Sequence, residues 1–371
     1  MRSRQLLALV AVISVLAVAI SPDRVRPPIV TRELPPMPTA SPVTPSGSPL
    51  RPLVCTTQVV LPDKIDRLLS FARSPDGRRL AIARDLDPRA YSRALIRSPL
   101  DPASRHIQFF DLRSFRIVDD IGPGVRPLWS GSGRFLSYHA PQGGGEQVAT
   151  DLVIFDTSVR REVARLHTTD IVNSAVAWDG DALVYLDGSD VHRWDAAGDR
   201  IMSTISAAYL PINGIPVISP DGRMFVNASG ADVTAPFTAF VIEAASGRAT
   251  TLTGVRWVEW SQTGHRLLAR YDDHRELLDE NGTVHRADVP FVGTSVEWAP
   301  DGRAPLFIDT ILPLPTMPPH FRTFTSFDGR PTGITLPLLR GSFDADGRRF
   351  IGRWFDGWTP PELHVHEWTS P

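Results

Sequence analysis

Between Thr56 and Pro371 the chain repeats one pattern of apolar and polar positions: an apolar strand that often ends in Trp, a polar turn containing Gly, and a second apolar strand. The copies include Ser74-Pro75-Asp76-Gly77-Arg78-Arg79-Leu80, Trp129-Ser130-Gly131-Ser132-Gly133-Arg134-Phe135, Trp178-Asp179-Gly180-Asp181-Ala182-Leu183 and Ser219-Pro220-Asp221-Gly222-Arg223-Met224-Phe225. Three more follow at Trp260–Leu267, Trp298–Arg303 and Phe343–Phe350. Pro presets φ, Asp bonds the local backbone and Gly takes positive φ where the chain reverses. Leu80 and Ile82 then set a strand period of two.

The marker glycines at 77, 133, 180, 222, 264, 302 and 347 stand 56, 47, 42, 42, 38 and 45 residues apart, a mean of 45. That is the period of a four-stranded propeller blade. A second pair of apolar runs completes each unit, as in Ile107–Asp111 before Phe115–Val118 and Leu152–Asp156 before Val163–Leu166. The reading is therefore all-β: a seven-bladed β-propeller of four-stranded antiparallel blades. The last copy ends in a third strand, Glu362–Trp368, with no fourth after it, and Thr56–Leu61 precedes the first copy. Pairing of these two segments is expected to close the ring and remove its free edge.

The Trp-Ser-Pro-Asp-Gly-Arg phrase resembles the TolB-type, WD-repeat-like β-propellers common in exported bacterial proteins. The resemblance spans roughly Thr56 to Pro371. It implies a propeller that binds protein partners of the cell envelope, and it specifies fold better than function. The third copy departs from the pattern by being two residues shorter before its Gly, and the fifth lacks Pro-Asp.

The N-terminus reads as an address. Arg2 and Arg4 precede an uncharged run from Leu6 to Ile20, broken only by Ser14, and Ala17-Val18-Ala19 offers a small-x-small cleavage site. Residues 1–20 are expected to be a signal peptide or a membrane anchor, the only membrane contact if uncleaved. Residues 21–54 form a Pro-rich disordered linker and residues 55–371 the propeller. The expected location is extracytoplasmic, secreted or anchored through the N-terminal segment. Of 34 prolines, those in the linker cannot support a packed core. Cys55 follows Leu53-Val54 in a faint echo of a lipobox, but a buried thiol on the first strand is the better reading.

Charge and candidate chemistry narrow the function. The 39 basic and 41 acidic residues leave a net charge of −2, without the basic excess of a nucleic-acid binder. One cysteine permits neither an internal disulfide nor a multi-cysteine zinc site. No Gly-x-Ser-x-Gly elbow occurs. His364 and His366 alternate on one strand face, but no third ligand accompanies them. Asp344, Asp346 and Gly347 mimic part of a calcium loop and are accounted for as a repeat turn. Gly143-Gly144-Gly145 is not followed by Lys-Ser or Lys-Thr, so no phosphate loop is supported. No catalytic residue, metal site or cofactor is expected.

Long second-to-third-strand insertions at Asp85–Arg105, His139–Asp151 and Thr310–His320 are expected on one ring face. Near the starts of inner strands lie Arg126, Asn173, Asn213, Arg256 and Arg340, a polar, modestly positive channel mouth suited to an anionic small molecule or a carboxylate-bearing peptide. The first reading is an exported non-catalytic binding or scaffold protein of the cell envelope. The alternative is a propeller hydrolase or lyase acting at the channel mouth, and a third is a sensor ectodomain.

Overall fold

The computed structural model describes residues 54–59, 61, 63–86, 105–141, 150–168, 175–206, 209, 217–229, 236–261, 266–279, 283–290, 296–298, 305–308, 322–336, 340–343, 349–354 and 362–369. All of them belong to the compact unit Gly47–Pro371. Among them the regular structure is β-strand, apart from a 3-10 turn at Tyr209.

Blade 1 consists of β2 (Leu68–Arg73), β3 (Arg79–Asp85), β4 (Arg105–Asp111) and β5 (Arg116–Pro123). Blade 2 consists of β6 (Val125–Trp129), β7 (Phe135–Pro141), β8 (Thr150–Asp156) and β9 (Arg161–His167). Blade 3 follows with β10 (Val176–Asp179), β11 (Ala182–Asp187), β12 (Asp190–Asp195) and β13 (Gly198–Thr204). Blade 4 has β14 (Val217–Ile218), β15 (Met224–Ser229), β16 (Phe237–Glu243) and β17 (Ala249–Val255). Blade 5 has β18 (Trp257–Trp260), β19 (Leu267–Arg270), β20 (Arg275–Leu278) and β21 (Val284–Ala287). Blade 6 has β22 (Val296–Trp298), β23 (Pro305–Ile308), β24 (Arg322–Thr325) and β25 (Pro331–Leu336).

Blade 7 is built from both ends of the propeller. Strands β26 (Arg340–Phe343), β27 (Arg349–Trp354) and β28 (Glu362–Thr369) take β1 (Val54–Val59) as their fourth member. The β1–β28 register is antiparallel, from Val54 opposite Thr369 to Val59 opposite Val365. The paired strand begins at Val54, two residues before the expected Thr56, because Val54 and Cys55 still find partners in Thr369 and Trp368. One parallel bridge, Val54 to Thr335, ties β1 to the outer strand of blade 6 and merges the two blades into one eight-stranded sheet.

The turn phrase works as its chemistry requires. In blade 1 the Ser74 hydroxyl donates to Asp76 Oδ1 at 2.6 Å and accepts from the Arg79 amide at 2.9 Å. Asp76 in turn accepts from the Arg78 amide at 3.0 Å, and Gly77 turns at φ 68°. Blade 4 repeats this with Ser219, Asp221 and the Met224 amide. The shortened third copy is a two-residue reversal between Asp179 and Ala182. Its Asp181 reaches back to blade 2 and accepts the Ser132 hydroxyl at 2.6 Å.

Expected alternation of buried and exposed positions fails on the two central strands of the blades. In β3 Leu80, Ala81, Ile82 and Ala83 are all buried, as is every residue of β8. Each blade is sandwiched between two others, so both faces of its central strands are covered. The core accordingly lies between blades. Phe109, Trp129, Tyr138 and Val153 pack blade 1 on blade 2, while Leu80, Ile82, Ile351, Leu363 and Val365 pack blade 7 on blade 1.

Trp129, Trp178, Trp260 and Trp298 are buried at corresponding positions near the ends of inner strands. The first three donate an indole N–H to the inner strand of the preceding blade. Trp129 Nε1 reaches the Ala72 carbonyl at 3.1 Å, Trp178 Nε1 the Leu128 carbonyl at 3.1 Å, and Trp260 Nε1 the Val217 carbonyl at 3.0 Å. Each acceptor lies two residues before the turn serine of its own blade, so one recurrent bond sets the angle between successive blades.

Candidate functional site

In an antiparallel four-stranded blade, the first-to-second and third-to-fourth hairpins lie at one end. The second-to-third and inter-blade connections lie at the other, here called the loop face. The strand ends that open the long insertions are Asp85 and Arg105 in blade 1, Pro141 and Thr150 in blade 2, and Ile308 and Arg322 in blade 6. All three pairs stand on the loop face. Ring closure through β1 makes blades 6, 7, 1 and 2 consecutive.

Arg126, Arg256 and Arg340 of the five expected mouth residues are described. Arg126 is the second residue of β6, Arg256 directly precedes β18, and Arg340 opens β26. Asn173 and Asn213 lie outside the described residues, as do Gly143–Gly145, Asp344 and Asp346. The side chain of Arg256 is bound to Asp272 at 2.5 Å, and its amide donates to the Arg270 carbonyl at 2.7 Å. It therefore braces the Arg270–Arg275 connection.

Arg126 has a different setting. Its φ is 54°, in the left-handed region, and the β6–β7 register slips between Val125 and Leu128. A bulge of this kind re-aims a side chain at the strand end. The Arg126 amide donates to Ser70 Oγ of blade 1 at 3.2 Å. Burial lowers the Arg126 pKa although its side chain still reaches solvent. Across from Val125 stands His139, 3% exposed, with Nδ1 3.4 Å from Thr150 Oγ1. Burial, helped by the Arg126 charge, pushes the His139 pKa down to about 4.

At the start of the corresponding strand of blade 1 lies Arg67, seven residues before the turn serine Ser74 where Arg126 is four before Ser130, a residue the sequence pattern left unremarked. It directly precedes β2, has φ 53°, and the β2–β3 register slips between Leu68 and Ser70. Its carbonyl accepts from the Asp85 amide at 3.1 Å. Arg84 Nη2 bonds Asp66 Oδ1 at 3.0 Å, and the same carboxylate lies 3.7 Å from Arg67. Arg105 faces Asp85 across the β3–β4 ladder, and its carbonyl accepts from the Gly124 amide at 2.7 Å. Burial lowers the Arg105 pKa against the opposing pull of Asp85. The signal for Arg67 was its place before an inner strand; the bulges beside it and at Arg126 are visible only in the registers.

Blade 5 carries a second arginine group. Arg270 and Arg275 are buried, and their guanidinium carbons lie 5.7 and 3.7 Å from the centre of the Phe307 ring in blade 6. Burial, then the nearby Arg275 charge, brings the Arg270 pKa down to about 10. In blade 7 His364 stands 3.4 Å from Glu362. Among the described residues no group of three or more His, Cys, Asp or Glu side chains is placed to hold a metal ion, and no helix is long and apolar enough to cross a membrane.

The setting of His139 yields a pH dependence. Its pKa is about 4 folded and about 6.5 unfolded, so the unfolded chain binds the extra proton first. Stability is fully present above pH 6.5 and falls as pH drops toward 4, by roughly 3 kcal/mol in all. Asp156, where burial is outweighed by the Ser158 and Arg134 hydrogen bonds, is held at about 2 and contributes its loss only at lower pH. Urea unfolding at pH 7 and 4.5 should show this loss in the native protein and not in His139→Gln; equal losses in both would refute the assignment.

No protein-family profile matches the chain, and no curated protein does. Solved structures similar to it include a chain of the mitotic checkpoint complex, 13% identical over 92% of this chain and 99% of that one, with a TM-score of 0.49. The Cps50 (Swd1) β-propeller domain of Myceliophteria thermophila is 9% identical over 86% and 100%, with a TM-score of 0.49. Hydrazine synthase of Kuenenia stuttgartiensis is 13% identical over 84% and 98%, with a TM-score of 0.48. At this distance none of them bears on function; the propeller assignment stands on the sheets themselves.

Proposed function

We propose that this WD-repeat-like β-propeller is a non-catalytic binding or scaffold protein that engages a partner through its loop face. The observation that carries the reading is the placement of three long connections. Their strand ends open from one face and from blades that ring closure makes consecutive. Long loops on a rigid frame are the usual place for recognition. The resemblance to TolB-type propellers and the apolar segment Leu6–Ile20 support the finer reading, an exported protein whose partner belongs to the cell envelope.

A photo-crosslinking residue at Leu86, exposed where β3 ends on the loop face, is compared with one at Val159, exposed in the hairpin at the opposite end of blade 2. In cells that make the protein, Leu86 should give a discrete adduct of one partner and Val159 should not. Adducts from Val159 alone would reverse the binding face. N-terminal sequencing tests export: a chain cut after Ala19, or an intact one in the membrane fraction, fits it, and an intact chain in the cytosol contradicts it.

A further inference from the structure

We propose that two copies of this chain pair edge to edge through β17 (Ala249–Val255), the outer strand of blade 4. The surface lies apart from the loop face, and the pairing does not depend on a loop-face partner.

An edge strand is a template for another chain, and charges, prolines, bulges and brevity guard against that. Among the described outer strands, β1 and β25 meet through the Val54–Thr335 bridge. The others, β5, β9, β13, β17 and β21, each end a sheet. Strand β5 carries Arg116, Asp119 and Asp120, closes on Pro123, and bulges against β4 at Val118 and Ile121. Strand β9 carries Arg161, Glu162 and Arg165 and bulges at Val163; β13 carries Asp199 and Arg200 and bulges at Met202. Strand β21 is only four residues long and carries Arg286. Strand β17 reads Ala-Thr-Thr-Leu-Thr-Gly-Val, with neither charge nor proline. Its register against β16 runs unbroken from Ala249 to Thr253, and its bulge comes only at Gly254. Each device that protects the other four edges is missing from this one.

The register also shows what the edge offers. The Glu243 amide donates to the Arg248 carbonyl at 2.8 Å. Hydrogen-bonded pairs alternate from that point along an antiparallel ladder. Thr250 and Leu252 therefore turn their backbone groups to β16, and Ala249, Thr251 and Thr253 turn theirs outward. A second β17 placed antiparallel about Thr251 sets Thr251 against its own copy, Ala249 against Thr253, and Thr250 against Leu252. The first two kinds of pair have the geometry in which both residues exchange their N–H···O bonds.

Side chains select a second copy over a foreign strand. Thr250, Thr251 and Thr253 are exposed and Leu252 is half-buried. Threonine suits a pleated surface, and Thr–Thr pairs across strands are favourable. Arg248, the charge next to the strand, falls opposite Gly254 of the copy, so no like charges meet. A charged foreign strand finds no counter-charge along β17, whereas β17 itself satisfies the whole edge.

One strand pair buries less than a standard interface, so the dimer should be weak, populated at about 0.1–1 mM and lost on dilution. Sedimentation of the full chain over that range should show a reversible monomer–dimer equilibrium. Thr251→Lys brings two ammonium groups together at the axis and should weaken the dimer tenfold or more. Its thermal midpoint should hold, because position 251 is exposed. Ile201→Lys is the matched control: Ile201 is exposed on the outer strand β13 and should change the equilibrium less than twofold. A second measurement locates the axis. In a Cys55→Ser background, Thr251→Cys should give a disulfide between molecules under mild oxidation, since opposed Cα atoms of such a pair lie about 5.5 Å apart. Ile201→Cys in the same background should keep its thiol free. A chain still monomeric at about 1 mM, even one that takes up a foreign strand at this edge, overturns the pairing. So does a dimer that Thr251→Lys leaves unchanged, or a dimer in which the Thr251→Cys thiol stays free.

Discussion

Replacing Trp178 by alanine is expected to destabilise the protein by about 3–5 kcal/mol, the range for emptying a buried tryptophan site. Trp178 is 6% exposed. Its ring stacks on Phe135 of blade 2 with centroids 6.0 Å apart and meets Trp194 edge-on at 6.3 Å. Its N–H lies 3.1 Å from both the Leu128 carbonyl and the Ser137 hydroxyl. The substitution therefore opens a cavity between blades 2 and 3 and removes a donor that the Leu128 carbonyl and the Ser137 hydroxyl share. Trp178→Phe keeps most of the apolar contact and should cost roughly 1–2 kcal/mol, the share of the hydrogen bonds. Urea midpoints at unchanged m-value measure both. A loss below about 1 kcal/mol for the alanine variant would mean that the inter-blade bond does not fix blade packing.

Removal of β1 is the second large effect. A chain beginning at Leu61 lacks the outer strand of blade 7, and with it five paired positions against β28. At about 1 kcal/mol net per backbone hydrogen bond, the loss is on the order of 5 kcal/mol. It also bares the backbone of β28 as a free edge, a template for pairing with another chain. The truncated protein should unfold at lower urea and elute as oligomers in size exclusion. The connection from β1 to β2 would lose its anchor too, since the Leu363 amide donates to the Ile65 carbonyl at 2.9 Å and Lys64 pairs with Glu362 at 3.1 Å. A monomer with the native midpoint would contradict the closure.

Much of this architecture was legible in the chain. Ser-Pro-Asp-Gly turns are local chemistry, and their spacing near 45 residues counts blades without reference to packing. The unpaired last strand pointed to its missing partner at the other end. What the sequence hid depends on neighbouring blades. Asp181 looked like part of a defective third repeat, yet it bonds Ser132 across a blade boundary. Alternation along β3 misled, because no single-sheet rule anticipates a strand covered on both faces. Arg126 was legible as a residue near a strand start. Its place beside the buried His139 needed the β-bulge register, which composition does not encode. Arg256 shared the same sequence position but is paired with Asp272, a partner supplied by its own blade.

The closed ring is the premise of the loop-face site, since without it blades 7 and 1 are not neighbours. Cys55 makes it directly measurable, because its Cα partner across the β1–β28 ladder is Trp368. Residues opposite each other in an antiparallel pair are close enough for a disulfide. In a Trp368→Cys variant, mild oxidation followed by mass spectrometry should give one intramolecular disulfide, Cys55 to position 368, in the monomer. A Leu363→Cys variant, whose residue lies beyond the β1 pairing, should keep both thiols free. Free thiols in the first variant, or disulfides only between molecules, would mean that the N-terminal strand does not close the propeller.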